Sequence, residues 1–229
     1  MNMLITGGLG LLGNAIIKRV QRIKTDKIFV LDKLKNKVRF NYKYKNVFFI
    51  HGNFNNLNKI KKILCDKKIE AIFHLGAQTQ VLDAIKNPYK TIKTNVMGTV
   101  NILESIRSIN KSIVLIYSSS DKAYGEVKKK FYKENSKLDA IFPYDVSKSS
   151  SDLICQSYSK TYNLKIGIIR CANIYGPHDY NFRRIVPETI ISALLKKKLI
   201  IRSSGKLKRE YVFVDDVADA YYRVFNFLK

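Results

Sequence analysis

Two clusters in this 229-residue chain have the residue types and spacing to do chemistry. In Tyr144-Asp145-Val146-Ser147-Lys148 a phenol and an ammonium stand four residues apart, which puts them on one face of a helix. A cation beside a phenol favours phenolate, so Tyr144 is expected to have a lowered pKa and to serve as a base near neutral pH. The second cluster is Ser118-Ser119-Ser120-Asp121-Lys122, where hydroxyls that can hold a substrate are followed by an acid and an amine. A Tyr-x-x-x-Lys spacing alone arises often by chance. Its weight here comes from what precedes it.

At the N-terminus, Thr6-Gly7-Gly8-Leu9-Gly10-Leu11-Leu12-Gly13 follows an apolar strand and opens an apolar-periodic helix. In such a loop Gly7 permits a tight turn, Gly10 lets backbone approach a pyrophosphate, and Gly13 allows close helix packing. The helix start at Leu11, Leu12 and Gly13 offers N–H donors and a partial positive charge. Asp32 ends the second apolar run, at the distance where a carboxylate accepts both ribose hydroxyls of a dinucleotide. An acid there repels a 2′-phosphate and favours NAD over NADP, while neighbouring Lys33 works the other way. The oxidised nicotinamide ring would add a second positive charge near Tyr144.

The elements that must position these groups alternate regularly. Strands are expected at Met3–Ile5, Ile28–Leu31, Val47–Ile50, Ala71–His74, Ser112–Tyr117 and Lys165–Arg170. Helices are expected at Leu11–Ile23, from about Leu57, at Thr91–Ile109 and at Tyr144–Tyr162. Continuous apolar strands separated by helices predict an α/β fold, a Rossmann-type doubly wound parallel sheet covered on both faces. After Arg170 the rhythm changes: a turn at Asn173–Pro177, a polar loop, a helix from about Pro187, apolar runs at Leu199–Ile201 and Tyr211–Val214, and a terminal helix. The division expected is residues 1–172 as the NAD-binding domain and 173–229 as a small, truncated C-terminal substrate lobe whose terminal helix returns to the first domain.

With 46% hydrophobic residues the chain can bury a core, which argues against disorder. No apolar run reaches the ~20 residues of a membrane span, and the N-terminus enters a strand without the order of a signal peptide, so a cytoplasmic protein is the default. Cys65, Cys155 and Cys171 form no CxxC pair and read as buried free thiols, with no metal site expected. The formal charge of +24 is mostly scattered lysine. The short runs Lys128-Lys129-Lys130 and Lys196-Lys197-Lys198 lack interleaved aromatics, which makes a nucleic-acid partner the weaker reading. The surface would still attract a doubly charged sugar-nucleotide diphosphate.

Taken in order, these motifs resemble the extended short-chain dehydrogenase/reductase family, and within it the sugar-nucleotide epimerases and dehydratases. The resemblance covers nearly the whole chain, adding His74-Leu75-Gly76-Ala77-Gln78, Thr94-Asn95-Val96-Met97-Gly98-Thr99, Arg170 to Pro177 and Arg209 to Val217. It implies NAD held by Gly7, Gly10, Leu11, Leu12, Gly13, Asp32, Asn53, Phe54, Leu75, Gly76, Ala77, Tyr144 and Lys148. Gly76 stands where the family usually has alanine, and Asn53 where it usually has aspartate. The resemblance further implies that Ser120 bonds a sugar C4 hydroxyl, Tyr144 takes its proton and Lys148 holds the nicotinamide ribose. Asn95, Asn173, Arg184 and Arg209 would contact the nucleotide-diphosphate sugar. The helices at Thr91–Ile109 and Tyr144–Tyr162 are where the family builds a homodimer.

The Ser120-Asp121-Lys122 order resembles the CDP-glucose 4,6-dehydratase group, as does Phe182-Arg183-Arg184-Ile185-Val186-Pro187. The reaction implied is oxidation at C4, loss of water across C5 and C6, and hydride return. Asp121 would be the acid, and Lys122 the base if its charge is suppressed. A plain Asp121–Lys122 ion pair, a 4-epimerase and a weakly active NAD-binding relative are the alternatives. Relatives continue past the helix at Val217–Phe227, so the lobe is trimmed, or the chain is a fragment, or another chain completes it.

Overall fold

The computed structural model describes residues 1–22, 27–34, 44–125, 131–201, 204–206 and 208–229. Six strands, β1 (Asn2–Thr6), β2 (Lys27–Asp32), β3 (Val47–His51), β4 (Ile69–His74), β5 (Val114–Ser118) and β6 (Ile166–Ile169), pair in parallel. Their order is β3-β2-β1-β4-β5-β6. Successive strands are therefore added leftward from β1 and then rightward from β4, and the crevice beyond the carboxyl ends of these two parallel strands is where ligands lie in open α/β sheets.

The strands run apolar throughout because both faces are covered. Met3, Leu4 and Ile5 of β1 have no exposed surface. On one face Ile16, Ile17 and Val20 of α1 (Leu11–Val20) join Val217, Tyr221 and Phe225 of α8 (Val214–Leu228). On the other, Ile60 and Leu64 of α2 (Leu57–Asp66) meet Ile102, Leu103 and Ile106 of α5 (Gly98–Ile109), with Cys155 of α6 (Pro143–Tyr162) and Leu4 of β1. At ~25 cal/mol per Å², these layers are the main favourable term for the fold.

Several elements differ from the sequence reading. Helix α1 ends at Val20, and Ile23 lies outside the described residues, as does the run Lys128–Lys130. A short helix, α3 (Val81–Lys86), was not anticipated. The expected helix at Thr91–Ile109 begins earlier, as α4 (Pro88–Ile92), and passes through a π-helical turn at Lys93–Met97 before α5. The expected turn at Asn173–Pro177 contains a strand, β7 (Asn173–Tyr175), paired in parallel with β8 (Tyr211–Phe213). Their partnership spans an intervening helix, α7 (Ile185–Leu194), and local pattern could not reveal it. Leu199–Ile201 forms no regular element, and Ile200 and Ile201 are exposed. Cys65 is exposed rather than buried, because α2 turns Ile60, Ile63 and Leu64 inward and leaves Cys65 on the wet side. Among the described residues no helix is long and apolar enough to cross a membrane.

Candidate active site

The glycine loop sits at the sheet's switch point. Gly7 lies at φ +69°, a region that side chains disfavour, and a Cβ there would stand 2.7 Å from the Gly76 Cα after β4. A Cβ on Gly13 would collide with Gly8 backbone at 2.4 Å, so α1 starts directly on the loop. Gly10 caps α1 without any side-chain acceptor. The first N–H groups of the helix, including those of Leu11 and Leu12, are therefore left for an anion. Asp32 ends β2 with Oδ2 accepting the Leu9 N–H at 3.2 Å and Oδ1 accepting the Leu34 N–H at 3.0 Å. It borders a cavity of about 360 Å³ lined also by Leu9, Val30, Leu34, Phe49, Ile50 and His51. A glycine cradle, an uncapped helix start and an acid at the rim of an apolar cavity fit a dinucleotide. Asn53 is exposed beside this region, and its Oδ1 already accepts the Asn55 N–H at 3.0 Å.

Buried polar groups brace the loop from below. The Thr99 hydroxyl donates to the Asn95 carbonyl at 2.6 Å, so its oxygen is free to accept from His74 Nε2 at 3.3 Å. His74 Nδ1 is then the acceptor for the Thr6 hydroxyl at 2.6 Å, and Thr6 Oγ1 receives the Gly76 N–H at 3.2 Å. Burial is the main reason the imidazole stays neutral, with its pKa lowered to about 3. Phe54 meets His74 edge-on, with ring centroids 5.0 Å apart, and it packs against Gly76 on one edge and Gly98 on the other. Leu75 and Ala77 flank Gly76 in the loop, and the Leu75 N–H bonds the Thr6 carbonyl at 3.2 Å.

Beyond β5, the structure brings Ser120, Asp121, Lys122, Tyr144 and Lys148 together. The Ser120 hydroxyl donates to Asp121 Oδ1 at 2.9 Å and accepts the Lys122 N–H at 3.2 Å, capping a 3-10 turn at Asp121–Tyr124. Asp121 N–H is tied to the Cys171 carbonyl at 3.0 Å. Tyr144, placed after Pro143 in the first turn of α6, is buried, with Ser120 close enough to influence its phenol.

Lys148 does not supply the lowering of the Tyr144 pKa that the four-residue spacing suggested. Burial pushes the phenol up to about 12, with the Ser120 side chain opposing. The lysine four residues on is occupied elsewhere. Lys148 Nζ donates to the Ser118 carbonyl at 2.7 Å and lies over the Tyr117 ring at 5.4 Å. Burial lowers its pKa to about 8. An ammonium with these partners does not offset the desolvation of Tyr144.

The substrate-side residues separate into two groups. Asn95 is only 2% exposed, and its amide is consumed internally. Oδ1 takes the Gln78 N–H at 2.7 Å, while Nδ2 gives to the Gln78 carbonyl at 3.0 Å and to Ser147 Oγ at 2.8 Å. It clamps the π turn to α6 and the loop after β4, a different task from the substrate contact expected. Asn173, Arg184 and Arg209 remain open to solvent around the entrance. Arg184 reaches the Ile174 carbonyl and Asp179 at 3.4 Å, and its charge acts on Tyr144. The Asn173 amide donates to the Glu210 carbonyl at 3.2 Å, and the charge of neighbouring Arg209 acts on Tyr132.

Three residues beside the site were passed over in the sequence. Tyr132 donates to the Gly125 carbonyl at 2.8 Å, and Asp152 holds Ser119 at 2.6 Å. Asp145, inside the Tyr144–Lys148 motif, is buried with Lys122 and Asp121 acting on its carboxyl. An acid in the first turn of a helix reads as a dipole partner, so its facing could not be told apart from capping.

Residues 3–228 match the NAD dependent epimerase/dehydratase family. The chain is 33% identical over 236 residues to a dTDP-D-glucose 4,6-dehydratase of Dictyostelium discoideum, covering 96% of this chain and 54% of that protein. It is 27% identical to the dTDP-glucose 4,6-dehydratase of Escherichia coli, covering 98% of this chain and 68% of the relative. Among solved structures it superposes with a TM-score of 0.89 on dTDP-glucose 4,6-dehydratase from Bacillus anthracis in complex with NAD, at 30% identity, covering 100% of this chain and 73% of the other. The UDP-glucose 4-epimerase of Thermotoga maritima with UDP-glucose gives the same TM-score of 0.89 and 30% identity, covering 97% of this chain and 72% of the other. The chain thus spans about half the length of the Dictyostelium relative.

Proposed function

The chain belongs to the NAD dependent epimerase/dehydratase family, and we propose that it is an NAD-dependent 4,6-dehydratase of a nucleoside-diphosphate hexose. The observation that carries the reading is the Ser120–Asp121 hydrogen bond at 2.9 Å beside Tyr144. A 4-epimerase has no need of an acid at that point, whereas elimination of water does. The names of the relatives carry dTDP and UDP, while the Ser-Asp-Lys order suggests a cytidine nucleotide, the finer part of the proposal. Residues 1–172 would hold the dinucleotide and residues 173–229 would contribute Asn173, Arg184 and Arg209 to the sugar diphosphate. Exposed Met97 and Leu153, on the π turn and α6, support a homodimer through those helices.

When bound, NAD supplies a hydride acceptor at C4, the hydride later returned to C6, and a positive ring charge that counters the burial of the Tyr144 phenol. Ser120 bonds the C4 oxygen and Tyr144 accepts its proton. The ketone so formed acidifies the C5 proton. Asp121, as the acid, protonates the C6 oxygen as it departs. Lys148 anchors the ribose end of the site while held by the Ser118 carbonyl.

Incubating the chain with CDP-, dTDP-, UDP- and GDP-hexoses and reading masses tests this directly. Loss of one water from any substrate is the expected result, and Asp121→Asn should abolish it while NAD binding is retained. Isomerisation at unchanged mass would establish the epimerase instead.

A further inference from the structure

The proposed elimination needs a base for the C5 proton, and Lys122 is poorly suited to be it. A lysine can take a proton only after its ammonium has lost one, because the ammonium has three donors and no lone pair to accept with. Lys122 and Asp121 both lie close enough to Asp145 for their charges to act on its carboxyl. Asp145 is 8% exposed, yet its Oδ1 has no hydrogen-bond partner among the described residues. Native structures rarely leave a buried carboxylate oxygen unpaired, and the exceptions concentrate where a group must be free to act. Asp145 also sits directly after Tyr144, in the first turn of α6, against the 3-10 turn that carries Asp121 and Lys122.

We propose that Asp145 is a catalytic residue, the base that removes the C5 proton, and that Lys122 is the cation that spans it and Asp121. This rests on the dehydratase reading above. The Asp145 carboxylate takes the C5 proton and becomes the neutral acid. The C5–H electron pair becomes the C5–C6 double bond as the C6–O bond breaks, and Asp121 gives its proton to the leaving oxygen, which departs as water. On return of the hydride that bound NAD would supply to C6, Asp145 gives its proton back to C5 and Asp121 regains one from solvent. No net oxidation occurs and one water is lost. Burial raises the Asp145 pKa, against the pull of Lys122, which strengthens the carboxylate as a base.

The test compares full-length wild type, Asp145→Asn and Asp145→Glu, each with NAD and the nucleotide hexose that the panel identifies. Absorbance at 340 nm follows C4 oxidation, mass spectrometry follows water loss, and deuterium uptake at C5 from heavy water follows the proton. Asp145→Asn, a nearly isosteric change, is expected to accumulate reduced nicotinamide with water loss and C5 exchange each reduced at least 100-fold. Asp145→Glu is expected to restore part of both. Water loss at the wild-type rate in Asp145→Asn overturns the proposal, and so does parallel loss of oxidation and elimination in an Asp145→Asn protein that melts at the wild-type temperature. If Asp145→Asn does not fold, Asp145→Glu decides. C5 exchange falling with the displaced carboxylate while oxidation persists supports the base, and unchanged exchange overturns it. A wild type that never releases water fails the dehydratase reading itself, a result separate from any of these.

Discussion

Arg170 grips Asp152 with two parallel hydrogen bonds, Nε to Oδ2 at 2.8 Å and Nη2 to Oδ1 at 2.9 Å. The carboxylate has no exposed surface and the guanidinium is 16% exposed. Burial works against the Asp152 carboxylate, but the bonds from Arg170, Ser119 and Gln156 outweigh it and hold its pKa below the usual range. Arg170 also reaches the Tyr124 hydroxyl at 3.0 Å and the Glu134 carbonyl at 2.8 Å. The pair therefore ties β6 and α6 to the turn bearing Ser120 and Asp121.

Breaking that pair from one side is expected to be severe. Asp152→Ala leaves the Arg170 charge uncompensated, for which about 3–5 kcal/mol of stability is the typical loss. Replacing both, as Asp152→Leu with Arg170→Met, removes the stranded charge and is expected to recover at least half of it. Urea unfolding of the three proteins checks this. Equal destabilisation by the single and double changes would show that the network, and not the stranded charge, carries the cost.

Lys148 is expected to be a site where stability is given up for function. Its folded pKa of about 8 lies below the ordinary value of 10.5. Between those values the unfolded chain binds more protons, so the burden on the fold is greatest below pH 8 and fades as pH rises toward 10.5. The shift corresponds to about 3 kcal/mol at pH 7. Losing the bond to the Ser118 carbonyl offsets about 1 kcal/mol of that. Lys148→Met is therefore expected to be about 2 kcal/mol more stable than wild type at pH 7, with the gap nearly closed by pH 10, and to be inactive. A variant less stable at pH 7 would mean that the ammonium is better solvated than its burial implies.

Much of this was legible in the sequence, and the remainder was not for physical reasons. Continuous apolar runs such as Met3–Ile5 report a strand covered on both faces, which is a local property. The glycine loop, Asp32, Ser120, Tyr144 and Lys148 are read from types and spacing that the sheet order then brings to one crevice. The Asn95 clamp is different in kind. It depends on Gln78 and Ser147, groups 17 and 52 residues away, and no periodicity encodes such pairs. The direction of the Tyr144 shift was missed for a related reason. The four-residue spacing places Lys148 on the right face, but the competing Ser118 carbonyl lies 30 residues upstream.

His74 is expected to make the fold acid-sensitive. With a folded pKa of about 3 against 6.5, the unfolded chain binds more protons between those values. Stability is then fully present above 6.5 and is lost as pH falls toward 3. From pH 7 to pH 5 this one residue removes about 2 kcal/mol. His74→Gln is expected to start lower at pH 7, because the Thr6 and Thr99 contacts are disturbed, and to lose about 2 kcal/mol less over the same interval. Identical pH slopes for the two proteins would place the acid sensitivity elsewhere.

The family resemblance implies alanine where Gly76 stands, as if the two residues were interchangeable there. The packing says otherwise. A Cβ on Gly76 would lie 2.5 Å from Phe54 Cε1, and the ring cannot slide away because the space on its far side is closed at Gly98, where a Cβ would lie 2.4 Å from Cε2. The ring is wedged between two glycines and braced by His74 beneath the loop that holds the dinucleotide. Gly76→Ala is therefore expected to cost about 1–3 kcal/mol by overpacking and to weaken NAD binding. Phe54→Leu is expected to leave a small cavity and a loss of its own. In the double variant the new methyl occupies that space, so the two losses should partly cancel, with a coupling of at least about 1 kcal/mol. Thermal unfolding and NAD titration of the four proteins measure that coupling. Simple additivity would mean that the loop relaxes around the methyl, and that Phe54 does not enforce glycine at position 76.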